Sequence, residues 1–162
     1  LRIGAPSPEK PTSKNSLLLD RVDAVALGLD LTRREVQTRL KKEGLPWTEA
    51  KSFTGSAVLS GFVPLPPALF GAARLDLITG SRFTLWVNGE KRQQGTPRDM
   101  IFDLETVLRC IEASHGLFAG DLIYTGTPEG VGPLRAGDKI RVQLQAGPEA
   151  KPEITIDESG EL

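Results

Sequence analysis

Asp30, Gln37, Lys51 and the segment Thr125–Gly132 are the residues whose types and spacing could do chemistry. Asp30 stands in Gly28-Leu29-Asp30-Leu31-Thr32, where an apolar run hands over to a helical pattern carrying Arg34 and Gln37. Gly44-Leu45-Pro46-Trp47 then leads to Lys51-Ser52-Phe53. A carboxylate is a ligand for a hard cation such as Mg2+, while an amide and an ammonium donate hydrogen bonds to an oxygen on which negative charge develops. Much later, Thr125-Gly126-Thr127-Pro128-Glu129-Gly130-Val131-Gly132 offers hydroxyls and closely approachable backbone N–H groups, which suit a substrate carboxylate. Converging on one pocket, these clusters would make a metal-dependent enzyme.

Each of these residues also has a plainer use. Asp30 alone reads as a helix-entry carboxylate accepting backbone hydrogen bonds. Lys51 alone reads as a solvated surface side chain, and 125–132 as a wide glycine-punctuated turn. Their company favours the chemical reading. The chain holds no HExxH, CxxC, phosphate-loop or dinucleotide glycine signature. His115, the single histidine, lies at the carboxyl end of an expected helix, where the helix dipole favours an imidazolium; it reads as a cap or surface group. Cys110, the single cysteine, reads as a small core residue on that helix and excludes an internal disulfide. Arg34 reads as a structural partner of nearby carboxylates.

The elements that must position these groups follow from periodicity. The apolar run from Val22 to Leu31 predicts a buried strand. Thr32 and Glu35 have capping-box spacing, so Thr32 is expected to be the N-cap of a helix reaching about Glu43, with Val36 and Leu40 on one face and Gly44 ending it. Asn88-Gly89, between Phe83–Val87 and Glu90–Gln93, predicts a type I′ hairpin. Ile101, Leu104, Val107, Leu108 and Ile111 predict a core helix from about Met100 to Ser114. Leu122-Ile123-Tyr124, the alternation Ile140, Val142, Leu144, and Ile154 with Ile156 predict further strands. At least six strands against two main helices, with long loops at 64–80 and 125–137, make an α+β, β-rich fold.

The 162 residues fit a single domain, 1–162, with a Pro-, Ser- and Lys-rich flexible loop at 5–16. A net charge of −1 argues against nucleic acid as a partner. No apolar run approaches the ~20 residues of a membrane span, and no targeting segment is visible. The first residue is Leu1 rather than Met, so a preceding part is expected.

The clusters, in this order, resemble the fumarylacetoacetate hydrolase family, and specifically its acylpyruvate hydrolase and oxaloacetate decarboxylase-tautomerase branch. The resemblance rests on Leu29–Gln37, Gly44–Phe53, Val87–Glu90, Arg92-Gln93, Met100–Phe102 and Gly120–Pro133, and covers roughly residues 22 to 145. It implies a mixed β-roll with few helices, usually a homodimer, binding Mg2+ or Mn2+ through three carboxylates. Asp30 would be the third metal ligand, Lys51 and Gln37 the polar catalytic partners, and Thr127 with Gly126 the substrate contacts. Implied activities are C–C bond hydrolysis of acylpyruvates, or decarboxylation or tautomerisation of oxaloacetate. The partner would then be a small keto acid, and the compartment mitochondrial or bacterial cytoplasmic.

In that family the other metal ligands form a Glu-x-Glu pair on an upstream strand, and the general base is a His-Glu pair earlier still. Neither occurs in these residues. Leu1-Arg2-Ile3-Gly4 resembles the end of the glutamate strand, so the missing elements are expected upstream or on another polypeptide. The alternative is a catalytically inactive family member serving as a structural subunit of a larger, mitochondrial assembly.

Overall fold

Asn88 and Gly89 adopt φ of 52° and 82°, the left-handed pair that a two-residue hairpin turn requires. This turn joins β6 (Arg82–Val87) to β7 (Glu90–Gly95), as the dipeptide predicts. In the computed structural model, which describes residues 1–5, 17–146 and 154–161, the hairpin forms part of an antiparallel sheet in the order β7-β6-β8-β9. Here β8 is Lys139–Ala146 and β9 is Ile154–Glu161. The expected alternation along β8 holds, with Ile140 and Leu144 buried. Residues 6–16 of the proline-rich stretch, and the side chains of Ile154 and Ile156, lie outside what is described.

Two smaller sheets flank it. β1 (Arg2–Ile3), β2 (Val22–Val25) and β5 (Val63–Pro64) form one in the order β1-β2-β5; β3 (Gly28–Asp30) and β4 (Ala57–Leu59) form the other. The expected single strand from Val22 to Leu31 is therefore two. The break comes at Ala26-Leu27, where Leu27 leaves the first ladder and bonds Ser60 through both its N–H and its carbonyl. This break turns Asp30 onto a short ribbon instead of a buried sheet.

Four α-helices occur among the described residues, besides 3-10 turns at Leu18–Arg21 and Pro97–Asp99: α1 (Arg34–Glu43), α2 (Thr48–Lys51), α3 (Gly71–Thr79) and α4 (Leu104–His115). Gly44 ends α1 as expected. The capping box at Thr32 does not form: the N-cap is Arg33, with no side-chain cap bond, because the Thr32 hydroxyl is committed to other partners. The expected loop at 64–80 contains α3, whose Arg74 is buried and donates to the carbonyls of Leu69, Asp20, Val22 and Pro66.

α4 starts at Leu104, four residues later than expected, because Asp103 caps it by accepting from Thr106 N–H at 2.7 Å. Ile101 is consequently 94% exposed and no part of the core. Cys110 is exposed too, on the outer face of the helix, while Leu104 and Leu108 face inward. His115 ends α4 at the surface. The core of Ile3, Leu19, Val22, Leu65, Leu108 and Leu144 joins α4 to the sheets. Glu105 reinforces that junction by accepting from the N–H groups of Leu18 and Leu19.

Leu122–Tyr124 forms no strand; a single bridge from Arg2 to Leu122 replaces it. No helix among the described residues is long and apolar enough to cross a membrane.

Candidate active site

Lys51 reaches Asp30 because the chain between them folds back on itself twice. Arg33 N–H donates to the carbonyl of Ala50, and Leu31 N–H donates to that of Ser56, which lays α2 beside the end of β3. Ala50 is fully buried, and the Arg33 guanidinium stacks on the Phe53 ring at 4.3 Å, so the one-turn helix is held on both sides. Lys51 Nζ then lies 2.5 Å from Asp30 Oδ2 and 3.0 Å from Thr32 Oγ1. The Thr32 hydroxyl in turn donates to the Asp30 carbonyl at 3.2 Å. The acid and the ammonium are partly open to solvent, with side chains 51% and 33% exposed.

A second group forms around the Thr125–Gly132 loop. Gln93 on β7 donates from Nε2 to Thr127 Oγ1 at 2.8 Å and to the carbonyls of Pro128 and Glu129 at 3.0 and 3.2 Å. The register of β6 on β7 steps from Gln93 directly to Lys91, leaving Arg92 as a bulge. Gly130 packs against that bulge with φ of 92°, so closely that a Cβ would fall 2.1 Å from the Arg92 carbonyl oxygen. Glycine is required there on both counts.

Tyr124 ties the two groups together. It directly precedes the loop, and its ring lies over Gly28, where a Cβ would fall 2.6 Å from the ring edge. Gly28 and Asp30 share one face of β3, being two residues apart. The phenol oxygen is 3.4 Å from the Val58 carbonyl on β4. Burial, and then the negative charge of Asp30, push the Tyr124 phenol above its ordinary range. It therefore stays neutral at physiological pH.

Of the residues singled out in the sequence, Asp30 and Lys51 are in direct contact, and Gly126 and Thr127 line a cavity whose wall includes Gly28 and Tyr124. Gln37 is not brought into either group: on α1 its Oε1 accepts from Arg34 Nη1 at 2.6 Å. Arg34 thus serves an amide rather than the carboxylate expected of it. Sequence reasoning gave Thr32 only a capping role, and gave Tyr124 and Gln93 no role in the site. The signal for Thr32 was its position two residues after Asp30; for Tyr124 and Gln93, whose partners lie 66 and 34 residues away, no local signal exists.

The fumarylacetoacetate (FAA) hydrolase C-terminal family pattern matches residues 1–155. The chain belongs to the fumarylacetoacetate hydrolase family. It is 44% identical over 116 residues to the oxaloacetate tautomerase YcgM of Escherichia coli K12, covering 72% of this chain and 50% of that one. It is 45% identical over 126 residues to the mitochondrial oxaloacetate tautomerase FAHD1 of Mus musculus, covering 78% and 54%. The chain thus spans about half the length of these relatives.

The fold matches ynq8, a yeast family member, with a TM-score of 0.78 at 33% identity over 97% of this chain and 64% of that one. It also matches a fumarylpyruvate hydrolase from Pseudomonas aeruginosa in complex with Mn2+ and pyruvate, with a TM-score of 0.71 at 29% identity over 88% and 57%. The α+β, β-rich fold class read from the sequence is therefore the family's own. Relatives within it are enzymes acting on small keto acids, bacterial and mitochondrial alike.

Whether the residues present suit a divalent cation can be judged from their donors. Asp30 has one oxygen on Lys51, and Oδ1 makes no bond to another described residue. A half-exposed carboxylate of this kind fits one corner of a hard-cation site. The described residues contain no group of three or more His, Cys, Asp or Glu that could hold a metal by themselves.

Proposed function

We propose that this chain carries the acid–lysine part of a site that interconverts the tautomers of short β-dicarbonyl acids, with oxaloacetate as substrate. The observation that carries this reading is the contact of Lys51 with both Asp30 and Thr32. Keto–enol exchange moves a proton between carbon and oxygen, and negative charge develops on the oxygen as the carbon-bound proton leaves. An ammonium has three hydrogens. Two are directed to Asp30 and Thr32, and the third serves the substrate oxygen, where a fixed donor in a site pre-built for the charge lowers the barrier.

Asp30 orients the lysine ammonium, and its second oxygen would hold a divalent cation, Mg2+ or Mn2+. When bound, that ion supplies further stabilisation of oxygen charge as a Lewis acid. Its remaining ligands would come from outside the described residues. Thr127, held by Gln93, and the Gly126 N–H would bind the far carboxylate of the substrate. Gln37 would orient water or the reacting oxygen through Nε2, which its bond to Arg34 does not use.

Acylpyruvate C–C hydrolysis is the second reading, supported by the likeness to fumarylpyruvate hydrolase. The same ammonium would stabilise the enolate released on cleavage. A homodimer or larger assembly belongs to the same proposal, as does a mitochondrial or bacterial cytoplasmic setting, which relatives named from both support. The test is the ultraviolet decay of enol-oxaloacetate with Mg2+ or Mn2+, run beside an acylpyruvate cleavage assay. Acceleration of the first above a metal-only control supports tautomerisation. Cleavage alone supports the second reading, and neither activity sinks both.

A further inference from the structure

The Thr127 hydroxyl has one proton to give and two lone pairs to fill, and its neighbours decide which of these a ligand meets. Gln93 Nε2 lies 2.8 Å from Thr127 Oγ1, 3.0 Å from the Pro128 carbonyl and 3.2 Å from the Glu129 carbonyl. A carbonyl oxygen only accepts, so these two require the amide nitrogen of Gln93, not its oxygen, to face them. That nitrogen has nothing to accept with, and Thr127 Oγ1 can therefore only receive from it. Among the described residues Oγ1 donates to none, so the hydroxyl proton is unspent on an exposed side chain.

We infer that Gln93 is a positioning residue that sets the polarity of Thr127: its amide engages the acceptors at this end of the site and leaves the hydroxyl proton for the ligand, which favours a ligand ending in an acceptor such as a carboxylate. The inference rests on the keto-acid reading of the site, in which Thr127 binds the far carboxylate, and adds the reason a carboxylate is taken there.

The amide's contribution is separable from the shape of the loop. Pro128 packs against Gly95 on β7, where a Cβ would fall 3.1 Å from the proline Cβ. Gly130 packs against the Arg92 carbonyl and the stem of Gln93, whose Cγ would lie 3.2 Å from a Cβ there. Those contacts hold the loop on β7 without using the amide. The amide adds direction and strength: accepting from Gln93 polarises the Thr127 O–H bond, because hydrogen bonds in a chain reinforce one another. Once the amide is removed, the hydroxyl is free to turn, and the Pro128 and Glu129 carbonyls lose the donor they share with it.

Gln93→Met keeps an unbranched side chain of similar length and removes the donor. Thr127→Val keeps the shape of the threonine and removes the hydroxyl. The full chain carrying each change, and both together, is assayed on enol-oxaloacetate with Mn2+, and inhibition by 4-methyl-2-oxopentanoate is measured alongside. That compound has an isopropyl group where oxaloacetate has its far carboxylate, so it offers the hydroxyl proton no acceptor there.

The expected result is that Gln93→Met raises KM for oxaloacetate about fivefold to tenfold while kcat stays within about threefold, the scale of one hydrogen bond used in binding. Inhibition by 4-methyl-2-oxopentanoate should change by less than about twofold. In the Thr127→Val background, adding Gln93→Met should raise KM by less than about twofold, because the amide acts through the hydroxyl. An unchanged KM in Gln93→Met overturns the inference, as do two losses that multiply in the double variant, since the amide would then act independently of Thr127. Equal weakening of oxaloacetate and 4-methyl-2-oxopentanoate in Gln93→Met also overturns it, as the mark of a loop that has merely moved. No turnover of oxaloacetate by wild type sinks the keto-acid reading and takes this inference with it, whereas the other adverse outcomes leave that reading standing.

Discussion

Lys51 and Asp30, 21 residues apart, meet at 2.5 Å because the turn of chain between them is stitched at the Ala50 and Ser56 carbonyls. The pair is too exposed to be explained by stability. Surface ion pairs contribute roughly 0–1 kcal/mol, and both side chains are at least a third open to water. Its value lies in fixing one ammonium beside one carboxylate.

Lys51→Ala should therefore lower the rate on oxaloacetate by about 100-fold, the usual scale for losing a donor to developing oxygen charge. Its melting temperature should barely change. Thr32→Val, which leaves Asp30 as the only neighbour fixing the lysine, should cost up to about tenfold in rate, consistent with one lost hydrogen bond to a charged group. Thr32→Ser should restore the rate. Steady-state kinetics with circular dichroism on each variant checks this.

The loop is positioned from β7, and its failure should look different. Gln93→Leu removes the clamp on Thr127 and should raise KM more than it lowers kcat, because binding common to ground and transition state is lost. Gly130→Ala should be worse. A methyl group 2.1 Å from the Arg92 carbonyl at a positive φ forces the loop off the bulge, destabilising the protein by about 1–3 kcal/mol. Urea unfolding of both variants separates the two effects.

Arg74 gives a prediction about the scaffold alone. The residue is 4% exposed and its guanidinium serves four backbone carbonyls, one of them Val22 in the sheet beside the core. Arg74→Met strands those acceptors and should cost about 3 kcal/mol, measurable as a lowered midpoint in chemical denaturation.

Stability should also fall in acid through the cap of α4. The bonds from Thr106, backbone first and side chain second, hold the Asp103 carboxyl below the ordinary aspartate range. A group depressed in the folded state contributes fully above its unfolded pKa of about 3.9 and loses that contribution as pH falls through the lower folded value. Wild type should lose helix signal more steeply than Asp103→Ala as pH drops below about 4. Identical acid profiles for the two would remove the cap from the account.

Local chemistry was legible in the sequence wherever neighbours decide the outcome. Asn88-Gly89 makes its turn, Gly44 ends its helix and the β8 alternation holds, because each rests on residues within one turn or strand. Where a distant partner competes, the local rule loses. Thr32 leaves its helix cap for Lys51, 19 residues away. Ile101 is excluded from α4 because Asp103, nearer the helix, takes the cap. Leu122–Tyr124 is apolar enough for a strand, yet among the described residues it has only Arg2 as a bridge partner. α3 was hidden by the prolines and glycines around it, and its use is plain only once Arg74 is seen inside the fold.

Within the candidate site, residue type pointed to Asp30 and Lys51, and the structure puts the two in direct contact. Tyr124 and Gln93 are ordinary residues made significant by glycines elsewhere: Gly28 under the ring, Gly130 against the bulge. Neither relationship has a sequence spacing that could announce it.

Turnover of enol-oxaloacetate by wild type and Asp30→Ala, each with and without Mn2+, tests the central claim most directly. The account predicts metal-dependent acceleration in wild type, a loss of about 100-fold or more in Asp30→Ala, and unchanged far-ultraviolet circular dichroism. Full metal-dependent activity in Asp30→Ala would contradict it.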